Sequence, residues 1–327
     1  MHQITAFGSS RSSGLFRRAI LQSPASRPAS DAGLYRSVLE QFLIAASIPD
    51  MSGARSFSSD QLQALNTMTV GAAPFASYTY GKQECQMRRT FVLIQAGPSV
   101  DGDFVPSPPT VLLSQRRFDN DIDVIVAHNS DEGILFTDSR VQDEAGVEAF
   151  LTNLMPSVGI DRIRTITTRL YPQNFTGRFP YTTETERLAL MVSEALVTCN
   201  ANAVLNAFDE SASGYLFSLA PGIHAQDVGY TFFNGQATDF YGMPLNEGVA
   251  VLLQSIIVNF AQSKKRGVLD AIAVSGPQPL PNLPLSRRAS ILNVTGGEFQ
   301  VVQDPAQNSR CEFWQTGLFS RRRNRGD

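Results

Sequence analysis

Ser130-Asp131-Glu132-Gly133 closes one strand-like run, and His224 follows another, 92 positions after Glu132 (224 − 132). An acid and then a histidine, each at a strand end, have the order of the last two members of a Ser…Asp/Glu…His triad. In that chemistry the carboxylate accepts one imidazole N–H, fixes the tautomer and stabilises the imidazolium, while the other ring nitrogen takes a proton from the serine. Histidine suits the task because its ordinary pKa lies near neutrality. The chain has three histidines, His2, His128 and His224. His128 belongs to the same strand-end turn as Glu132 and His2 lies at the terminus, so His224 is the candidate base. Glu132 is the candidate acid and Asp131 the runner-up. The plainer alternative for either carboxylate is a solvated loop group or a helix cap, and for a lone histidine no role at all.

The nucleophile is harder to find. An activated serine needs a strained strand-to-helix turn with backbone N–H groups aimed at the oxyanion. The sequence for such a turn, G-x-S-x-G, occurs nowhere in the 327 residues. Ser9-Ser10-Arg11-Ser12-Ser13-Gly14 reads as a flexible loop. Ser23 follows a strand, but Pro24 removes the N–H that an oxyanion hole would use. The catalytic residues expected from this chain are therefore Glu132 and His224, with no nucleophilic serine. The histidines are scattered, with no H-x-x-x-H and no cluster of carboxylates, so no metal is expected. No G-x-x-x-x-G-K-[ST] loop cradles a phosphate, and no cofactor is implied.

The elements that must position these groups alternate. Ala19-Ile20-Leu21, within Gly14 to Pro24, predicts a short buried strand. Leu34, Val38, Phe42 and Ala45 predict a helix over 31–46, and Ser59 to Asn66 a shorter one. Asp101-Gly102 and the prolines at 106, 108 and 109 mark turns. Val124-Ile125-Val126 centres the clearest strand, over 123–127. Helices are expected over 147–155, 160–170, 183–208 and 247–261, a further strand over 213–219, and an irregular proline-rich segment over 277–284. Strand and helix in turn are the rhythm of an α/β fold, with a mostly parallel sheet flanked by helices. Only about three strong parallel strands are visible, and the helices would cover a larger sheet.

Bulk composition narrows the function class. The chain is 43% hydrophobic and 17% charged, enough apolar material for a sizeable core. Its net charge of −3 argues against a nucleic-acid partner. The basic run Arg321-Arg322-Arg323-Asn324-Arg325 reads as a disordered tail over 320–327, and the final Arg-Gly-Asp as chance. No run approaches the roughly 18 apolar residues of a membrane span, and Met1 opens no signal peptide. Cys85, Cys199 and Cys311 lack C-x-x-C spacing; two could pair and leave one over. Asn174-Phe175-Thr176 and Asn293-Val294-Thr295 are glycosylation sequons.

Several segments, in order, resemble the type B carboxylesterases, the α/β-hydrolase family that includes cholinesterases and fungal lipases. Met1-His2-Gln3-Ile4 resembles the helix after the family's G-E-S-A-G elbow. Leu15 to Ser23 resembles the next signature, and Val100-Asp101-Gly102-Asp103-Phe104 the "DGDF" turn. Asn129 to Phe136 matches the acid loop, which puts the acid on Glu132 and not Asp131. His224 to Phe233, with Asp227 and Tyr230, is similar to the histidine segment, and Arg310-Cys311-Glu312-Phe313-Trp314 to the terminal segment of fungal members. Ala225 stands where the family usually has glycine, and Ala64-Leu65-Asn66 where it has a cysteine.

The resemblance implies an α/β-hydrolase fold in its C-terminal part only, residues 1–327 forming one partial domain whose N-terminal strands, oxyanion hole and serine lie upstream of Met1. It implies a small-molecule or lipid carboxylic ester as substrate and a secretory destination. The chain alone is then expected to be inactive, and poorly soluble because its first strand would be an open edge. The alternatives are a non-catalytic cholinesterase-like binding protein and a gene-model fragment with no function of its own.

Overall fold

The computed structural model describes residues 1–10, 14–26, 32–71, 78–79, 93–94, 100–262, 290–297 and 299–317. Cys85, the proline-rich 277–284 and the basic 320–327 lie outside them. In chain order the main elements are β1 (Arg18–Gln22), α1 (Ala32–Ala46), α2 (Ser59–Gly71), α3 (Pro109–Ser114), β2 (Asp123–Asn129), α4 (Glu144–Leu154), α5 (Ile160–Thr165), α6 (Glu184–Ser193), α7 (Cys199–Phe208), β3 (Ala212–Phe217), α8 (Gln226–Thr231), α9 (Glu247–Gln262), β4 (Ser290–Val294), β5 (Phe299–Gln303) and α10 (Ser309–Glu312). They fall into two compact units, one of residues 1–28, 103–134 and 189–327, the other of residues 29–102 and 135–188.

The first unit is built on a five-stranded sheet in the order β1-β2-β3-β4-β5. β1, β2, β3 and β4 pair in parallel, and β5 turns back antiparallel to β4. The sheet is larger than the three strands expected. β4 and β5 are short, and their alternation is weak against the polar residues Asn293, Gln300 and Gln303. All seven residues of β2 are buried, as a central parallel strand requires. Its side chains alternate between two cores. Ile125 and Ala127 join Tyr215, Phe217, Leu253 and Ile256 under α8 and α9. Val124 and Val126 join Phe118, Val204 and Phe208 under α3 and α7. β1 lies at the end of the sheet, and no other described strand pairs with its far edge.

The helix expected over 183–208 runs from Glu184 to Phe208 through a π-helical turn at Glu194–Thr198. With its last turn it is long and apolar enough to cross a membrane, but most of its apolar stretch is buried in the structure, as in a core helix. Cys199 on α7 is disulfide-bonded to Cys311 on α10. Beside the disulfide, Arg310 grips Glu194 with two bonds of 2.8 and 2.6 Å. Met1 to Ser9 is not a continuous helix. One turn closes with Thr5 N–H on the Met1 carbonyl at 3.1 Å, and Phe7 and Gly8 then take left-handed backbone angles that stop it.

In the second unit α1 packs with α2, and α4 with α5. Arg187 is fully buried there. Its guanidinium meets Glu184, the Glu144 carboxylate at 2.8 Å, and the carbonyls of Thr167 at 2.8 Å and Tyr171 at 2.7 Å. That many partners offset the desolvation of a buried cation.

Candidate active site

The site forms where parallel strands end. β2 and β3 stay in register to Asn129↔Phe217. Beyond them the loops remain zipped: Ser130 N–H donates to the Phe217 carbonyl at 2.9 Å and Asp131 N–H to the Gly222 carbonyl at 2.8 Å. Ser23, just past β1, donates its N–H to the Ala127 carbonyl at 2.8 Å. Three strand ends therefore converge on one place, the usual position of functional groups in an open parallel sheet.

Two glycines allow this close approach. A Cβ on Gly222 would lie 1.9 Å from Ser130 Oγ, and one on Gly133 would lie 1.8 Å from the Ala189 carbonyl oxygen. Asp131, the runner-up acid, is engaged otherwise: its Oδ1 accepts from Ile134 N–H at 3.2 Å and caps the short 3-10 turn there. His128 Nδ1 lies 2.9 Å from the carbonyl of its neighbour Asn129, and no described hydrogen bond joins it to Glu132.

Glu132 and His224 meet directly, Nδ1 of the imidazole against Oε2 of the carboxylate. An ionised carboxylate only accepts, so Nδ1 carries the hydrogen and Nε2 is left as the basic nitrogen. Glu132 is fully buried, whereas about a fifth of the His224 side chain, 22%, is exposed. The other carboxylate oxygen, Oε1, accepts from Ser23 Oγ at 2.7 Å, Asn129 N–H at 2.6 Å and Asn129 Nδ2 at 3.3 Å. Burial alone would raise the Glu132 carboxyl, but the hydrogen bond and charge of His224, with the donors of Asn129 and Ser23, outweigh it and hold it below the ordinary value.

The histidine loop is fixed by its own backbone partners. Gln226 Oε1 accepts from the N–H groups of Gly222 at 2.8 Å and Ile223 at 3.2 Å, and Tyr241 donates to the His224 carbonyl at 2.7 Å. Burial, with Asp239 and Glu132 nearby, pushes the Tyr241 phenol up to about 12, so it remains a donor. Ala225 takes the left-handed backbone, φ 63° and ψ 9°. The glycine expected there by resemblance has its physical reason in that angle.

Sequence reasoning missed two members of the site. Ser23, set aside as a nucleophile, supports the acid: its hydroxyl proton goes to Glu132, so the hydroxyl is oriented away from the role of attacking group. Asp227 is a second fully buried carboxylate. It accepts from Tyr215 at 3.0 Å, Gln22 at 3.2 Å and Asn129 at 3.3 Å. Burial first, and then the charge of Glu132, raises its carboxyl above the ordinary value. Its place in the histidine segment, three residues after His224, was the available signal; Thr231 Oγ1 on α8 also accepts from Gln22 at 2.7 Å.

The family model described as "Carboxylesterase family" matches residues 4–314. The chain belongs to the carboxylesterase family. Within the family it is similar to the carboxylesterase patB of Penicillium expansum, 27% identical over 316 residues, which are 96% of this chain and 51% of that one. A secreted lipase of Arthroderma benhamiae is 30% identical over 199 residues, 56% of this chain and 33% of that one. Among solved structures, that of Aspergillus niger EstA aligns with a TM-score of 0.69 at 18% identity, covering 96% of this chain and 60% of that one. The fold is that of the α/β-hydrolases, and the chain spans about half the length of the carboxylesterase it matches.

Proposed function

We propose that this chain supplies the acid and base of a serine carboxylic ester hydrolase, with the nucleophile and oxyanion hole provided by polypeptide outside these 327 residues. The observation that carries the reading is the buried Glu132 carboxylate bonded to His224 Nδ1 and braced by Ser23 and Asn129. His224 Nε2 takes the serine proton as the oxygen attacks the ester carbonyl. Collapse of the tetrahedral adduct expels the alcohol, which leaves with that proton. Water then gives a proton to the same nitrogen, attacks the acyl-enzyme and releases the acid and the free serine. Glu132 orients the ring and stabilises the imidazolium. The substrates are carboxylic esters, from short-chain esters to acylglycerols. The Cys199–Cys311 disulfide and the secreted relative support a secretory route.

The test joins the part of the Penicillium expansum carboxylesterase that lies outside the match to this chain and follows p-nitrophenyl ester hydrolysis. The fusion is active and the isolated chain is not. In the fusion His224→Ala and Glu132→Gln each lower kcat by about 10³-fold or more. Hydrolysis by the isolated chain that disappears with His224→Ala would overturn the claim of incompleteness. A fusion indifferent to His224→Ala would remove the assigned base.

A further inference from the structure

Both sequon asparagines, Asn174 and Asn293, are half-buried, but they stand on different backbones. Asn174-Phe175-Thr176 lies in the segment between α5 and α6. Phe175 is 37% exposed, Thr176 is exposed, and Gly177 follows with a left-handed φ of 88° and open space around it. Asn174 Oδ1 accepts from both the N–H and the hydroxyl of Thr176, at 3.1 and 2.6 Å. Only Oδ1 of that side chain takes part in the described hydrogen bonds, so Nδ2, the atom that would be modified, is not committed to one of them. Asn293-Val294-Thr295 instead belongs to β4, which is hydrogen-bonded on both sides. Asn293 pairs with Leu216 on β3 and Gln300 on β5, and its Oδ1 is bonded to Ser218 Oγ.

We infer that Asn174 is an N-glycosylation site of this protein and that Asn293 is not, a reading that rests on the secretory route proposed above. The acceptor chemistry needs an accessible asparagine amide with the hydroxyl two residues on turned towards it, on a surface loop. The Thr176 hydroxyl meets that condition in the folded chain. The donor is a polyprenyl-diphosphate-linked oligosaccharide. Asn174 Nδ2 attacks its anomeric carbon, the bond from that carbon to the diphosphate oxygen breaks, the polyprenyl diphosphate leaves and the amide loses one proton. At Asn293 the same bond would place a branched sugar on a strand with neighbours on both sides and displace the Ser218 contact.

The test sends the full chain into the yeast endoplasmic reticulum behind a cleavable signal and reads the protease-protected fraction, so addition is scored whether or not the product is exported. Endoglycosidase treatment and peptide mass spectrometry locate the sugar. The parent shows one glycan, lost in Asn174→Gln and Thr176→Ala, kept in Thr176→Ser and in Asn293→Gln. An unmodified Asn174, or a modified Asn293, in that fraction overturns the choice of site. The native product is fractionated from its source separately. A cytosolic location overturns the secretory reading and with it the modification in the cell, while the site choice is judged by the yeast result.

Discussion

At the scale of single residues, two buried carboxylates share one network and are shifted in opposite directions. Glu132 lies below its ordinary value through His224, and Asp227 above its own through burial and Glu132. A depressed folded pKa contributes stability above the ordinary carboxylate range and loses it as pH falls through the folded value. A raised one does the reverse: the folded state takes up the proton first, so stability rises as pH falls from the raised value towards the ordinary aspartate value. Asp227→Asn removes the second effect. Across a denaturation series from pH 7 to pH 2, the parent should gain on Asp227→Asn between pH 7 and about pH 4 by up to about 1.4 kcal/mol per unit of raised pKa, and Glu132→Gln should gain on the parent only below the ordinary glutamate value of 4.5, as pH falls through the depressed folded value. Parallel profiles for all three proteins would contradict the shared network. Ala225 makes a separate prediction. A non-glycine residue in the left-handed region costs about 1–2 kcal/mol, and glycine returns part of that as unfolded-state entropy. Ala225→Gly should therefore stabilise the chain by about 0.5–1 kcal/mol, read as a higher urea midpoint with an unchanged slope.

At the scale of elements, what the sequence made legible was what a short window can carry. β2 stood out because Val124-Ile125-Val126 is a β-branched run entering a polar turn, and the structure buries all of it. The helices expected over 247–261 and 147–155 are α9 at Glu247–Gln262 and α4 at Glu144–Leu154. The role of Ser23 was not legible, because it depends on the parallel pairing of β1 with β2, which brings residues 109 positions apart into a 2.7 Å bond. Asp227 was quoted for its place in a motif, but its partners Gln22 and Asn129 come from two other strand ends. The disulfide was open among three cysteines until α7 and α10 were seen side by side. It closes a loop with a sequence separation of 112 residues. Such a closure is worth about 2–5 kcal/mol by restricting the unfolded chain. Cys311→Ser should lower stability by that amount. Reductant should bring the parent close to the variant, and a variant as stable as the oxidised parent would show that the bond contributes nothing.

At the scale of the whole molecule, the chain carries the sheet order of an α/β-hydrolase with β1 at one end. Ala19 and Leu21 pack into the core under α3 and α7, whereas Ile20, on the opposite face of the same strand, is 36% exposed and Leu15 before it 72% exposed. Among the described residues no strand pairs with the far edge of β1, and a strand edge with apolar side chains beside it is a template for pairing with another chain. A net charge of −3 on 327 residues gives little repulsion against that association. The isolated chain should therefore self-associate. Ile20→Lys tests the cause, because a lysine on an edge strand disfavours pairing while its alkyl stem retains part of the contact. Sedimentation velocity at equal concentrations should show the parent as a broad, concentration-dependent distribution and Ile20→Lys with a severalfold larger monomer fraction and the same far-ultraviolet dichroism. A monodisperse parent monomer with a cooperative thermal transition would mean that the β1 edge is satisfied without a partner.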